Sequence, residues 1–112
     1  MVKRTAPDRG HIVMLQFSPQ QGREQAGKRP ALVLSPATYN AKVGLAICCP
    51  ITSKAKGYPF EVLLPRGLKT KGVILPDHVK SLDWRARGMR IVERVAPAVM
   101  QEVLQKLECL LA

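Results

Sequence analysis

Acidic side chains are scarce in this chain. Asp and Glu total 8 against 18 Lys and Arg, a formal charge of +10 over 112 residues. So lopsided a balance is more than solubility requires and suggests a polyanionic partner, nucleic acid before membrane. Aromatics are few: Phe17, Tyr39, Tyr58, Phe60 and Trp84. Five scattered rings argue against a broad stacking platform for single strands. The cysteines are Cys48, Cys49 and Cys109, an odd number with two adjacent. That is a poor disulfide framework and has no metal-ligand spacing. Buried thiols in a reducing cytoplasm are the expectation. No apolar run approaches membrane-spanning length. Met1 to Asp8 has no apolar stretch behind its charges, so no signal peptide is expected. There is no nucleotide-cradling glycine motif and no metal cluster. His11 and His78 are the only histidines. A two-histidine ribonuclease would need both in one cleft; His11, at a strand start, reads as structural, whereas His78 beside Asp77 has the better claim.

What is present reads as one domain over residues 1–112, with short apolar blocks and no repeat or linker. Six or so short strands are expected, at His11 to Phe17, Ala31 to Ser35, Leu45 to Pro50, Pro59 to Leu64, Val79 to Trp84 and Met89 to Val95, with Val73 to Leu75 a further short apolar run. Pro36 to Asn40 suits one helical turn, broken at Gly44. The C-terminus is the one convincing helix. Pro97 fits its first position, and Met100, Val103, Leu104, Leu107, Leu110 and Leu111 form a single stripe. Glu102 and Lys106 have the favourable order for an i to i+4 pair. Short strands with one terminal helix predict a mainly β fold, a small bent antiparallel sheet or barrel with the helix packed on it. Ten bases fall between Ser53 and Arg94, so the positive field belongs to the sheet and its loops.

Between the first two strands lies Glu24-Gln25-Ala26-Gly27-Lys28-Arg29-Pro30. Pro30 fixes its own φ and biases Arg29 toward extended backbone, holding the guanidinium stiffly at the mouth of a strand. A planar, permanent cation there suits a phosphate. The plainer alternative is a hairpin loop whose Glu24 and Arg29 pair in solvent. Cleavage of RNA by its own 2′-hydroxyl needs a base, an acid at the leaving 5′ oxygen and positive charge for the phosphorane. Arg29, Thr52 and Glu24 are of the right chemical types, though composition alone cannot select them. A hydroxyl at Thr52 serves equally to satisfy backbone at a strand end.

The Glu24 to Pro30 run, Val33-Leu34-Ser35-Pro36, Pro50-Ile51-Thr52-Ser53, Lys56 to Val62, and Val79-Lys80-Ser81 with Trp84 to Gly88 together resemble the MazF/PemK toxin endoribonucleases. Several blocks in order are more specific than any one, and they cover nearly the whole chain. The resemblance implies an SH3-like small barrel with the terminal helix packed on it, a homodimer, and metal- and cofactor-independent cleavage of single-stranded RNA at short sequences. It also implies neutralisation by a cognate antitoxin, expected to be acidic. Arg29 and Thr52 match the catalytic pair, and Glu24 matches the loop acid, a base or a group orienting Arg29. The expected RNA-contacting set is Phe17, Gln25, Lys28, Ser53, Lys54, Lys56, Asp77, His78 and Lys80, with Phe17 either stacking at the rim, the favoured reading, or in the core, and Trp84 in the core or a dimer contact. Asp77 matches an acid used in the Kid/PemK branch. That branch has Arg where this chain has Leu75, and often His where it has Arg23; both departures favour the MazF-like arrangement around Arg29. His78 stands where close MazF relatives have Gln, which implies a different base preference. Two other functions share the fold or the charge. CcdB-type gyrase poisons carry a Trp near the C-terminus, where this chain ends Leu110-Leu111-Ala112. A silent RNA-binding module would be indicated by loss of Arg29 or Thr52, and both are present.

Overall fold

The computed structural model describes residues 5–17 and 27–111. Seven strands and two helices follow in order: β1 His11–Leu15, β2 Arg29–Val33, α1 Ala37–Val43, β3 Ala46–Thr52, β4 Val62–Leu63, β5 Val73–Ile74, β6 Lys80–Leu82, β7 Arg90–Arg94 and α2 Pro97–Leu111. Every pairing is antiparallel. The sheet runs β4-β5-β3-β2-β1-β7, with β6 also on β3. No helix among the described residues is long and apolar enough to cross a membrane.

The strands read as continuous apolar runs because both faces of the sheet are covered. Ile12, Leu32, Cys49, Ile51 and Ile74 pack under α2 with Val99, Met100, Val103 and Leu107. Their neighbours Val13, Ala31, Val33 and Cys48 face the other way, into a second cluster with Leu15, Leu82, Trp84 and Met89. Adjacent Cys48 and Cys49 therefore lie in different clusters. Burial pushes both thiols up to about 12, so neither is a nucleophile at neutral pH. Cys109 departs from the buried-thiol expectation, because α2 carries it on the exposed face.

Prolines account for two boundary errors. β2 starts at Arg29, two residues earlier than expected. Pro30 is accepted because beyond Ala31 the strand pairs only with β1, so one flank is free. β3 continues through Pro50 to Thr52. The Pro50 carbonyl accepts from Leu75 N–H at 2.9 Å. In an extended strand the missing N–H points the same way, into the gap between the β6 and β5 pairings, so the β2 ladder loses no donor. The expected strand from Pro59 shrinks to Val62–Leu63, because the Glu61 carboxylate turns back onto the loop before it.

The helices also differ from expectation. The expected single turn extends to seven residues and ends at Gly44, whose φ of 84° suits the cap. Asp8 Oδ1 accepts from Ala37 N–H at 2.8 Å, covering a free amide at the helix start. Within the C-terminal stripe, Met100, Val103 and Leu107 are buried and Val99 joins them, but Leu104, Leu110 and Leu111 are exposed. Burial along α2 thus extends to Leu107, and the leucines beyond it are exposed.

One clasp brings the sheet's two edges together. Glu93 on β7 accepts from Lys69 N–H and Thr70 N–H at 3.0 and 2.8 Å, and from the Thr70 hydroxyl at 2.6 Å. Lys69 and Thr70 lie in the β4–β5 connection at the opposite edge, so this carboxylate curls the sheet toward a barrel.

Candidate functional site

The β2–β3 register pairs Ala31 with Pro50. Counted outward, that register brings Arg29 and Thr52 to the same end of the two strands. Both line a groove of about 680 Å³. Arg29 is exposed, and among the described residues no hydrogen bond engages its guanidinium. Thr52 Oγ1 accepts from Lys54 N–H at 3.1 Å, the strand-end role anticipated for it. A hydroxyl that accepts one bond still has its proton to give, so structural and chemical roles coexist here.

The other walls come from separate segments. Lys54 and Lys56 belong to the loop after β3, Asp77 and His78 to the 3₁₀ turn Pro76–His78, and Lys80 to β6. Asp77 and His78 lie 3.9 Å apart and are both well exposed. The ammonium of Lys80 sits 5.1 Å from the Phe17 ring centroid. That ring is only 9% exposed and belongs to the second core cluster, so of its two expected places it takes the core and forms a wall rather than the favoured open rim.

Not every expected residue is here. Lys28 is exposed but does not line the groove; a Cβ placed on Gly88 would fall 3.2 Å from its ammonium, so it lies along the 84–88 turn. Ser53 is exposed and also outside the lining. Glu24 and Gln25 lie outside the described residues. His11 is far from this chemistry. Its Nδ1 accepts from Asp8 N–H at 2.8 Å, and its Nε2 lies 3.0 Å from Arg94. Among the described residues no group of His, Cys, Asp or Glu is gathered to hold a metal ion.

Tyr58 is the residue sequence reasoning missed. It lines the groove and is 57% exposed, the one large aromatic so placed. Its loop is pinned twice. The Glu61 carboxylate accepts from Lys56 N–H and Gly57 N–H at 2.9 and 3.0 Å. Lys106 on α2 donates to the carbonyls of Pro59 and Glu61 at 2.6 and 3.0 Å. The available signal was Glu61 itself, an acid four residues beyond Gly57. Among the described residues the groove carries four cations, Arg29, Lys54, Lys56 and Lys80, and two carboxylates, Asp77 and Glu61, the latter with both oxygens already accepting from backbone amides. The excess of positive charge suits a polyanion.

Comparisons with known proteins identify the family. Residues 8–111 match the PemK-like, MazF-like toxins of type II toxin–antitoxin systems. The chain is 49% identical over 111 residues to the endoribonuclease toxin MazF of Escherichia coli K12, covering 99% of both. It is 35% identical to the endoribonuclease PemK of Escherichia coli, over 97% of this chain and 85% of that one. A MazE–MazF crystal structure from Deinococcus radiodurans superposes with a TM-score of 0.88 at 54% identity, over 95% of this chain and 96% of its counterpart. The chain belongs to the family of PemK-like, MazF-like toxins of type II toxin–antitoxin systems.

Proposed function

We propose that this chain is an endoribonuclease toxin that cuts single-stranded RNA at short sequences, using the RNA's own 2′-hydroxyl and no metal. What supports the reading is the meeting of Arg29 and Thr52 in one cationic groove. The 2′ oxygen attacks phosphorus while a base takes its proton, the bond to the 5′ oxygen breaks, and that oxygen is protonated as it leaves. The products are a 2′,3′-cyclic phosphate, which opens to a 3′-phosphate, and a 5′-hydroxyl. Arg29 stabilises the phosphorane with a bidentate fork, and the Thr52 hydroxyl donates to a phosphate oxygen. Glu24 is the candidate base. Lys54, Lys56 and Lys80 hold the flanking phosphates, and Tyr58 offers a face to a base. The relatives are named endoribonucleases, which favours this chemistry over gyrase poisoning.

The test is cleavage of a long RNA with 5′-end mapping. Arg29→Ala should slow cleavage roughly a hundred- to a thousandfold, about 3–4 kcal/mol, the usual effect of removing one donor to a developing charge. One 2′-deoxy nucleotide at the scissile position should abolish cutting while binding persists, and a chelator should change nothing. Wild-type cleavage by folded Arg29→Ala would overturn the site.

The working form is a homodimer. Leu104, Leu110 and Leu111 stand exposed along α2, which favours an apolar contact between copies. Sedimentation giving an active monomer at micromolar concentration would refute this. The cognate antitoxin is an acidic segment that competes with RNA for the groove, as the surrounding cations favour. Tight antitoxin binding with unchanged RNA affinity would rule that out.

A further inference from the structure

Thr52 ends its strand beside a backbone that only glycine permits. Val73 on β5 is its partner in the ladder, and Gly72 comes just before. Gly72 has φ +122°, in the half of conformational space that side-chain-bearing residues avoid. A Cβ on Gly72 would fall on the Thr52 carbonyl oxygen, 2.8 Å from the carbonyl carbon and 3.0 Å from Ser53 Cα. These are backbone atoms, which cannot rotate away. The Gly72 carbonyl in turn accepts from Leu64 N–H at 3.0 Å, tying the same point to the residue after β4. On the other side, Glu93 clamps Lys69 and Thr70, two residues upstream. The backbone of Thr52 is thus pressed against a segment held from two directions.

We infer that Gly72 is a positioning residue for the Thr52 hydroxyl. It touches no substrate. It lets β5 lie close enough to set the end of β3, and so the direction in which Thr52 presents its proton to the groove. The Glu93 clasp presses the same segment home. This rests on the reading of Thr52 as donor to the scissile phosphate.

The experiment is a double-mutant cycle on the full chain, with Gly72→Ala and Thr52→Val made singly and together. Steady-state kcat and KM are measured on a single-site RNA oligonucleotide, and thermal melting checks the fold. Gly72→Ala should lower kcat about a hundredfold, the scale of an ångström misplacement, with KM within about threefold of wild type. Added to Thr52→Val it should cost less than about threefold more, because the group it positions is already gone. A Gly72→Ala chain with wild-type kcat, or one whose loss is the same in both backgrounds, overturns the proposal. A Thr52→Val chain that cleaves like wild type overturns instead the assignment of Thr52, and the proposal with it. Should Gly72→Ala fail to melt cooperatively, Glu93→Ala replaces it in the cycle. It loosens the same segment without adding an atom at Thr52. A kcat loss confined to the Thr52 background supports the positioning role, and equal loss in both backgrounds refutes it.

Discussion

Asn40 shows what one side chain can hold together. It is fully buried on α1, and its amide donates to the carbonyls of Pro7 and Ser35 at 2.8 and 2.9 Å. Its Oδ1 accepts from the Ser35 hydroxyl at 2.6 Å, and its backbone carbonyl accepts from Trp84 Nε1 at 3.0 Å. Asn40→Ala would leave two carbonyls without this donor and the Ser35 hydroxyl proton without its acceptor, although the Ser35 oxygen still accepts from Ile47 N–H, so it should cost about 2–4 kcal/mol by urea denaturation. Since none of these groups lines the groove, cleavage by the remaining folded protein should be near wild type. Tyr58 is the opposite case, an exposed ring with no packing duty. Tyr58→Ala should weaken RNA binding by about 1–3 kcal/mol in a filter-binding assay if it stacks on a base, and Tyr58→Phe should restore most of the loss. Failure of Phe to rescue would point to the hydroxyl instead.

At the scale of elements, the groove's loop depends on a helix that never reaches it. Lys106 reaches from α2 to two loop carbonyls and lies 3.8 Å from Glu102, so the anticipated helix pair also orients the loop's anchor. Lys106→Met keeps the aliphatic length and deletes the donors. It should raise KM several-fold while leaving the far-ultraviolet circular dichroism of the fold unchanged.

Two pH-sensitive joints hold other elements. Burial, reinforced by the charge of Arg94 and opposed by Asp8, keeps His11 below its ordinary 6.5. The folded protein therefore binds this proton less readily than the unfolded chain, and its contribution to stability is full above pH 6.5 and is lost as pH falls through the folded value. Burial works against the Glu93 carboxylate, yet the Thr70 hydroxyl and the Lys69 and Thr70 amides outweigh it and hold the group below 4.5. Asp8, accepting chiefly from the Ala37 amide, is held below 3.8. Both contribute above those values and fail as pH falls through their folded ones. Thermal melting should thus decline in two stages on acidification, the first below about pH 6.5. His11→Gln should flatten the first stage and leave the second.

For the whole molecule, charge governs association. The +10 balance makes any RNA affinity a matter of counterion release. Four cations at the groove, Arg29, Lys54, Lys56 and Lys80, set a log–log salt slope of about −3 if each meets one phosphate. Titrations across a range of salt concentrations measure it. A flat response would remove electrostatics from the binding account, and a much steeper one would extend the RNA path beyond this groove.

Much of this was written in local chemistry. Alternating and continuous apolar blocks announced the strands, Pro97 opened the terminal helix where expected, and the blocks around Arg29 and Thr52 carried the family. Those signals survive in sequence because period, proline geometry and side-chain type act over a few residues. What the sequence left open depended on partners distant along the chain. Pro30 and Pro50 were read as strand limits because their flanks, free or gapped, exist only after the sheet assembles. Phe17 became a wall because Lys80 and a second core cluster came to it. Tyr58 was exposed and aimed by Glu61 and by Lys106, 48 positions further on. The barrel is clasped by one carboxylate bridging its two edges. The position of Thr52 is set by a glycine with no side chain to advertise it. Its function is to leave space, and only packed backbone reveals how little space there is.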